Sequence, residues 1–368
     1  MQVTSISTEN MTPQNGQMLH KTSSKKPQGM IDPLTTMIPV RCIDERALIA
    51  RMVRVAAVAA IAIASCAVDA QAIDTLRVAS SQRGRWDTTI AEIGQRGGIF
   101  ARNGLSLEIL YTQGPAETRQ AVSAGNADVG VGPGVMQVLA AFAKGAPLRV
   151  IGAGTTGAGE LFWYVPANSP IRSLRDTERK AIAYSHDGSL TQRVLAALIQ
   201  ENDLKARPTA TGEPPPTLSQ AISGRIDVGW SAPPFALQLV EDGKLRIIAS
   251  GNDAAMFKKR TVRVIISNAT ALQQRKPAIE RFMKAYRETI DWLYSDDPAA
   301  LLTYADFVGI PLAVARRTRD QFFPRAAIDP DRIAGLDRIV EDAAALEFTP
   351  AALSAAQLAE LIRIPPRQ

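Results

Sequence analysis

From Asp74 onward the chain alternates short runs of aliphatic and β-branched residues with longer stretches whose apolar positions recur at helical spacing. Leu76-Arg-Val-Ala-Ser80 reads as a strand, and Leu105-Ser-Leu-Glu-Ile-Leu-Tyr111 alternates apolar and polar positions as a half-buried strand does. Between them, residues 87–102 set Ile90, Ile93 and Phe100 along a helical face, and Asn103-Gly104 supplies the left-handed cap that ends it. The alternation continues with a helix at 117–124, a strand at 127–131, a helix at 136–143 and a strand at 148–151. Strands separated by helices predict parallel βαβ units in an α/β sheet.

The pattern returns about a hundred residues later, a domain-sized spacing. Gln120-Ala-Val-Ser-Ala-Gly-Asn-Ala-Asp-Val-Gly130 is echoed by Gln220-Ala-Ile-Ser-Gly-Arg-Ile-Asp-Val-Gly229. Leu148-Arg-Val-Ile-Gly-Ala-Gly154 is echoed by Leu245-Arg-Ile-Ile-Ala-Ser-Gly251. Two echoes in the same order predict two similar lobes. The β-rich runs at 161–165 and 260–266 fall where the chain must cross between them, and residues beyond Ala271 are mainly helical, with Asp296-Asp-Pro298 opening a new helix. The expected organisation is a first lobe at 73–163, a second at 164–263, and a return to the first at 264–368. Two crossings make a hinge, and the cleft between the lobes is the natural ligand site.

The N-terminal 72 residues follow a different pattern and are expected to be a disordered leader and signal peptide. Arg51 and Arg54 precede the apolar run from Val55 to Ala64, which is too short to span a bilayer, and Ala70-Gln71-Ala72 offers small residues for cleavage. Ile63-Ala-Ser-Cys66 gives the alternative of a lipid anchor at Cys66. Met30, Met37 and Met52 are alternative translation starts.

Composition narrows the function. A chain of 368 residues, 46% hydrophobic and 21% charged, has material for two cores. The charge of +6 is spread out; its one cluster, Lys21 with Lys25 and Lys26, lies in the leader, which argues against nucleic-acid binding. Both cysteines, Cys42 and Cys66, also precede residue 72, and His186 is the one histidine after it. This leaves no residue set for a His/Cys metal site or for a Ser–His–Asp triad, so no catalytic residue, metal or cofactor is expected.

Several short motifs bear on the cleft. Gly152-Ala-Gly-Thr-Thr-Gly157 matches the dinucleotide fingerprint in letters, but a strand follows it, so no helix N-terminus is there to receive a pyrophosphate. Thr155 and Thr156 are instead expected to offer hydroxyls to the cleft. Gly188-Ser-Leu-Thr191 opens a helix, with Ser189 as N-cap and free N–H groups suited to an anion. Gly134 and Gly114 stand at the corresponding turns of the first lobe. After the first strand come Gln82, Arg83, Arg85 and Trp86, of which Arg83 is expected to grip an oxyanion and Trp86 to stack on a ligand. Trp230 and its neighbour Ser231 are expected on the opposite wall.

Taken in order, Ser81-Gln-Arg83, Gly114-Pro115, Ala124-Gly-Asn-Ala-Asp-Val-Gly-Val-Gly132, Val165-Pro-Ala-Asn-Ser-Pro-Ile-Arg-Ser-Leu174, Asp187-Gly-Ser189 and Asp227-Val-Gly-Trp230 resemble the periplasmic binding proteins for sulfonate, nitrate, taurine and pyrimidine-type solutes, related to the thiamine-precursor proteins. The resemblance covers roughly residues 76–294. It implies a type II periplasmic-binding-protein fold, two α/β lobes on a two-strand hinge, and a monomeric ligand carrier working with an ABC permease and ATPase. One departure stands out. Sulfonate-handling relatives often carry Trp-Asp-Pro after the second lobe's third strand, where this chain reads Trp230-Ser-Ala-Pro-Pro234. The alternatives are an enzyme of the thiamine-pyrimidine-precursor-synthase type, whose Cys-rich motif is missing here, and a ligand-sensing periplasmic protein.

Overall fold

The computed structural model describes residues 73–367. The leader, the alternative starts, cleavage after Ala72 and lipidation at Cys66 lie outside the described residues.

The first half runs β1 (Asp74–Ser81), α1 (Trp86–Arg96), α2 (Ile99–Arg102), β2 (Leu105–Thr112), α3 (Pro115–Ser123), β3 (Val129–Gly134), α4 (Val135–Ala143) and β4 (Leu148–Ala153). The second runs β5 (Phe162–Pro166), β6 (Ala181–Tyr184), α5 (Leu190–Glu201), β7 (Arg207–Ala210), α6 (Pro214–Ile222), β8 (Gly229–Ser231), α7 (Leu237–Glu241) and β9 (Leu245–Ser250). The chain then returns through β10 (Arg263–Asn268), α8 (Ala269–Gln274), α9 (Lys276–Leu293), α10 (Pro298–Val308), α11 (Leu312–Arg317), α12 (Leu336–Ala345) and α13 (Ala355–Leu361). The single helix expected at 87–102 is broken in two. Gly98 takes the left-handed conformation, at φ 72°, which ends one helix and starts the next.

The first sheet has the order β2-β1-β3-β10-β4. β1 is paired in parallel on both sides, and its second half, Val78 to Ser81, is buried on both faces. β10 enters antiparallel between β3 and β4. In the second lobe, β8-β5-β9 and β6-β7 are joined by a parallel bridge between Ile182 and Val228, giving the order β7-β6-β8-β5-β9. The two sheets therefore share one topology, and each takes its antiparallel strand from the segment that has just crossed over.

The repetition extends to side chains. Asp128 Oδ2 accepts from the backbone N–H of Arg77 at 2.9 Å, and Asp227 Oδ2 from that of Ala181 at 2.8 Å, tying the third strand of each lobe to the first. Thr112 and Thr118 share a hydroxyl–hydroxyl bond of 2.6 Å, and Thr211 and Thr217 one of 2.7 Å, pinning the strand end to the following helix.

The long helix α9 closes the first lobe. Ile279, Phe282, Met283, Tyr286, Ile290 and Leu293 recur three and four residues apart and are buried. Each is worth about 1.5–3 kcal/mol of apolar burial. Helix α1 lies directly against it: a Cβ on Gly94 would sit 2.1 Å from Thr289 Oγ1, so only glycine permits this approach. Among the described residues, no single helix is long and apolar enough to cross a membrane.

Candidate functional site

A cavity of about 310 Å³ lies between the lobes, at the ends of strands where helices begin. The first lobe lines it with Gln82, Arg85, Pro115, Ala116, Arg119, Gly134, Gln137 and Arg263, the second with residues 185–191, Glu213 and Trp230, and the loop after α12 adds Phe348. Two side chains span the gap. Gln137 Nε2 donates to the carbonyl of Gly188 at 2.9 Å, and Gln82 Nε2 donates to the Glu213 carboxylate.

Five helix N-termini, those of α1, α3, α4, α5 and α6, meet the cavity, and they are chemically unequal. At α5, Ser189 Oγ accepts from the Gln192 N–H at 3.1 Å, which caps the helix and leaves the earlier N–H groups of the turn for a ligand. At α6, Pro214, Pro215 and Pro216 fill the first turn and supply no N–H. Its N-cap Glu213 makes no capping bond and reaches across to Gln82 instead.

Behind the first-lobe wall is a buried quartet of charges. Arg85 holds Asp87 with two bonds of 3.2 Å and lies 3.8 Å from Glu160. Arg263 Nε lies 3.4 Å from Asp87 and 3.6 Å from Glu160, while its Nη1 donates to the Gly132 carbonyl at 3.2 Å. Burial pushes the Glu160 carboxyl above the usual range and Asp87 adds to this; the two guanidiniums only partly offset them. Burial pushes Arg263 down, with the like charge of Arg85 contributing.

Two further cations have no carboxylate partner among the described residues. Arg119, on α3, lines the cavity, and burial lowers its ordinary value. Arg193, on α5, lies 4.9 Å from the Phe348 ring centre with Nε and Nη1 buried and unbonded; burial, then the charge of Arg263, push it down to about 10. Arg193 does not itself line the cavity; it stacks on Phe348, which does, so its two unpartnered donors stand one side chain away from it.

Of the residues proposed from sequence, Gln82, Gly134, Gly188, Ser189 and Trp230 line this cavity. Trp230 is held as a wall by its Nε1–H bond of 3.1 Å to the Gly212 carbonyl. Gly114 stands just outside it as the N-cap of α3, whose Pro115 and Ala116 do reach it.

Five others are placed elsewhere. Arg83 is exposed and stacks over Phe307 at 4.6 Å. The cause is local: Gln82 and Gly84 both take positive φ, 56° and 94°, and these turns send Arg83 outward and Arg85 inward. Trp86 is core, in edge contact with Tyr304 at 4.7 Å, and donates to the Tyr294 hydroxyl at 2.9 Å. Thr155 lies beside Asp87 at 3.4 Å, and Thr156 bonds Thr261 at 3.1 Å, clamping one crossover to the other. Ser231 Oγ donates to the carbonyl of Phe235 within its own turn. The sequence reading also passed over Arg85, Arg119, Glu213 and Arg263. A signal for one existed: Thr211-Gly-Glu-Pro-Pro-Pro-Thr217 repeats the outline of Thr112-Gln-Gly-Pro-Ala-Glu-Thr118 and marks Glu213 as a helix entrance.

Residues 87–300 match the family described as NMT1/THI5 like. The chain belongs to that family. None of the curated proteins matches it. Several solved structures share the fold of this NMT1/THI5-like chain. The alkanesulfonate-binding protein SsuA from Xanthomonas axonopodis pv. citri, bound to MOPS, is 20% identical, with a TM-score of 0.63 covering 79% of this chain and 98% of that one. The periplasmic aliphatic sulphonate binding protein SsuA from Escherichia coli is 17% identical, with a TM-score of 0.64 covering 80% and 93%. The desulfurization enzyme DSZB is 16% identical, with a TM-score of 0.58 covering 79% and 96%. At these identities the likeness is one of fold.

Proposed function

We propose that this protein is the exported, periplasmic solute-binding component of an ABC-type importer, and that its ligand is a small organic oxyanion of the sulfonate class. The observation that carries the reading is the inter-lobe cavity, which Arg85, Arg119 and Arg263 line together with the Ser189-capped N-terminus of α5. The NMT1/THI5-like membership and the sulfonate-binding neighbours support the class. An oxyanion contacting donors from both lobes favours the closed arrangement of the hinge, and a permease with its ATPase then recognises the closed monomer. The departure at Trp230-Ser-Ala-Pro-Pro234 leaves the particular sulfonate open.

The test is a thermal-shift and calorimetric panel of alkanesulfonates, carboxylates, nitrate and pyrimidines, followed by mass analysis of the recovered ligand. A ligand at about a hundred times its Kd adds roughly 2.7 kcal/mol to the stability of the folded state. Sulfonate binding with the ligand returned unchanged is the expected result. Turnover of a sulfur compound or a pyrimidine would move the protein to the enzymes that share this fold.

A further inference from the structure

Glu160 lies in the crossover between β4 and β5, with a relative exposure of 0%, and neither carboxylate oxygen receives a hydrogen bond from another residue. A carboxylate placed so makes no contribution to caps or turns that an uncharged side chain would not equal. Its charged surroundings are few. Arg85, before α1, and Arg263, on β10, stand 3.8 and 3.6 Å away, and Asp87, on α1, shares both arginines. Glu213 from α6 acts on both arginines, and Arg193 from α5 and Arg263 repel each other. Arg85 and Arg263 also line the cavity. The same two residues thus stand against Glu160 and line the cavity that a ligand would enter.

We propose that Glu160 is a positioning residue of the anion site: it counters the charge of Arg85 and Arg263 while the cleft is empty, and it takes one proton from solvent when an anion engages them. With both acids ionised the quartet is neutral, two arginines against Asp87 and Glu160. A ligand anion engaging Arg85 and Arg263 sets a further negative charge beside Glu160; Arg119 and Arg193 offset part of it, Glu213 adds to it, and protonating Glu160 relieves the local repulsion between carboxylate and anion. Glu160 already leans towards its neutral form, since burial opposes its charge. A second negative charge on the same arginines pushes it further in that direction. Uptake of a proton means that affinity rises as pH falls, by up to about tenfold per pH unit between the carboxyl's value in the empty site and its higher value with ligand. This inference rests on the reading of the cleft as an oxyanion site.

The experiment is calorimetry of the full chain with ethanesulfonate, which stays ionised, from pH 5.5 to 8.5, in buffer pairs of different ionisation enthalpy. We expect an uptake approaching one proton per ligand somewhere in that range. Glu160→Gln imitates the protonated form, so it should abolish the uptake, flatten the pH profile, and bind several-fold tighter than wild type at pH 8. Simple structural damage would weaken binding instead. Glu213→Gln should keep the uptake whatever it does to affinity. Ethanesulfonate binding by wild type with no proton uptake would overturn the role of Glu160 and leave the transport reading standing. Uptake that persists in Glu160→Gln would overturn it, since the proton would then belong to another group. No binding of ethanesulfonate, sulfate or nitrate would overturn both readings. Should the variant not fold, infrared difference spectra of wild type give the same decision, since a new un-hydrogen-bonded carboxylic-acid band must appear on binding.

Discussion

Replacing Arg263 by Met tests the quartet through stability alone. The change removes the guanidinium that lies 3.4 Å from Asp87 and 3.6 Å from Glu160, leaving two buried carboxylates against Arg85. Breaking a buried ion pair on one side costs about 3–5 kcal/mol, and loss of the bond to the Gly132 carbonyl adds roughly 0.5–1.5 kcal/mol. Adding Glu160→Gln restores neutrality, because Arg85 then meets Asp87 alone in its two-bonded pair. The double variant should therefore be more stable than Arg263→Met by about 1–3 kcal/mol, the scale of coupling between groups in contact. The sign of the pH effect follows from the raised carboxyl of Glu160. A carboxyl raised in the folded state contributes stability below its unfolded value, and that contribution is lost as pH rises through the folded value. Removing Arg263 raises it further, so the deficit of Arg263→Met should shrink as pH is lowered from 8 to 5. The same deficit measured on the Glu160→Gln background should not. Urea unfolding at several pH values measures all four corners of the cycle. Additive costs that do not vary with pH would refute the reasoning.

Other expectations follow from the same geometry. Arg83→Ala removes only a stack on Phe307, costs about 0.5–1 kcal/mol in melting experiments and leaves sulfonate affinity unchanged, whereas Arg119→Ala should leave stability nearly intact and cost about 1.5–3 kcal/mol of binding, one to two decades in Kd by calorimetry. Trp86→Phe keeps the edge contact with Tyr304 but leaves the Tyr294 hydroxyl without its donor, so urea unfolding should show a loss of about 1 kcal/mol with ligand affinity unaltered. Burial opposes the charge of Asp128, but hydrogen bonds from Arg77 and the charges of Arg77 and Arg275 hold its carboxyl below the usual range. That stabilisation is present above the unfolded carboxylate value and is lost as pH falls through the depressed one, so Asp128→Asn should cost about 2–3 kcal/mol at pH 7 and progressively less in acid.

What could be read from the sequence was whatever depends on near neighbours. Strand and helix order survives because β1 and β2 carry their period in consecutive residues, and the Ser189 cap was visible because N-cap and helix stand side by side. The errors begin where a side chain's direction depends on a turn. Arg83 and Arg85 are two residues apart, and the positive φ of Gln82 and Gly84 decides which of them reaches the cleft. The sequence points Trp86 at a ligand because nothing near it reveals its partners Tyr294 and Tyr304, more than two hundred residues away. Glu160 and Arg263, on different crossovers, become a pair only when β10 slides between β3 and β4. Charged residues so far apart leave no periodic trace.

The duplicated architecture makes the divergence between lobes informative. Both lobes use the same strand order, the same aspartate tie and the same threonine pin, which are demands of folding. What faces the cleft is not repeated. The entrance of α3 is Gly114-Pro115-Ala116 and its helix presents Arg119, whereas the entrance of α6 is Glu213 followed by three prolines. Proline at the first helical position is favourable in itself, but three in succession strip the turn of every N–H that an anion could use. The second lobe keeps such donors at α5, whose entrance lines the same cavity as Arg85 and Arg263. On the proposed reading an anion would take the α5 side of the cavity, with the Glu213 carboxylate bounding it on the other. Returning Pro215 and Pro216 to Ala while replacing Glu213 by Ser would open a second donor site at α6. If the boundary is real, that variant should bind doubly charged anions such as ethanedisulfonate at least tenfold more tightly than wild type does, with little change for ethanesulfonate. Equal gains for both ligands would mean that Glu213 acts only as general charge and that the prolines do not shape the site.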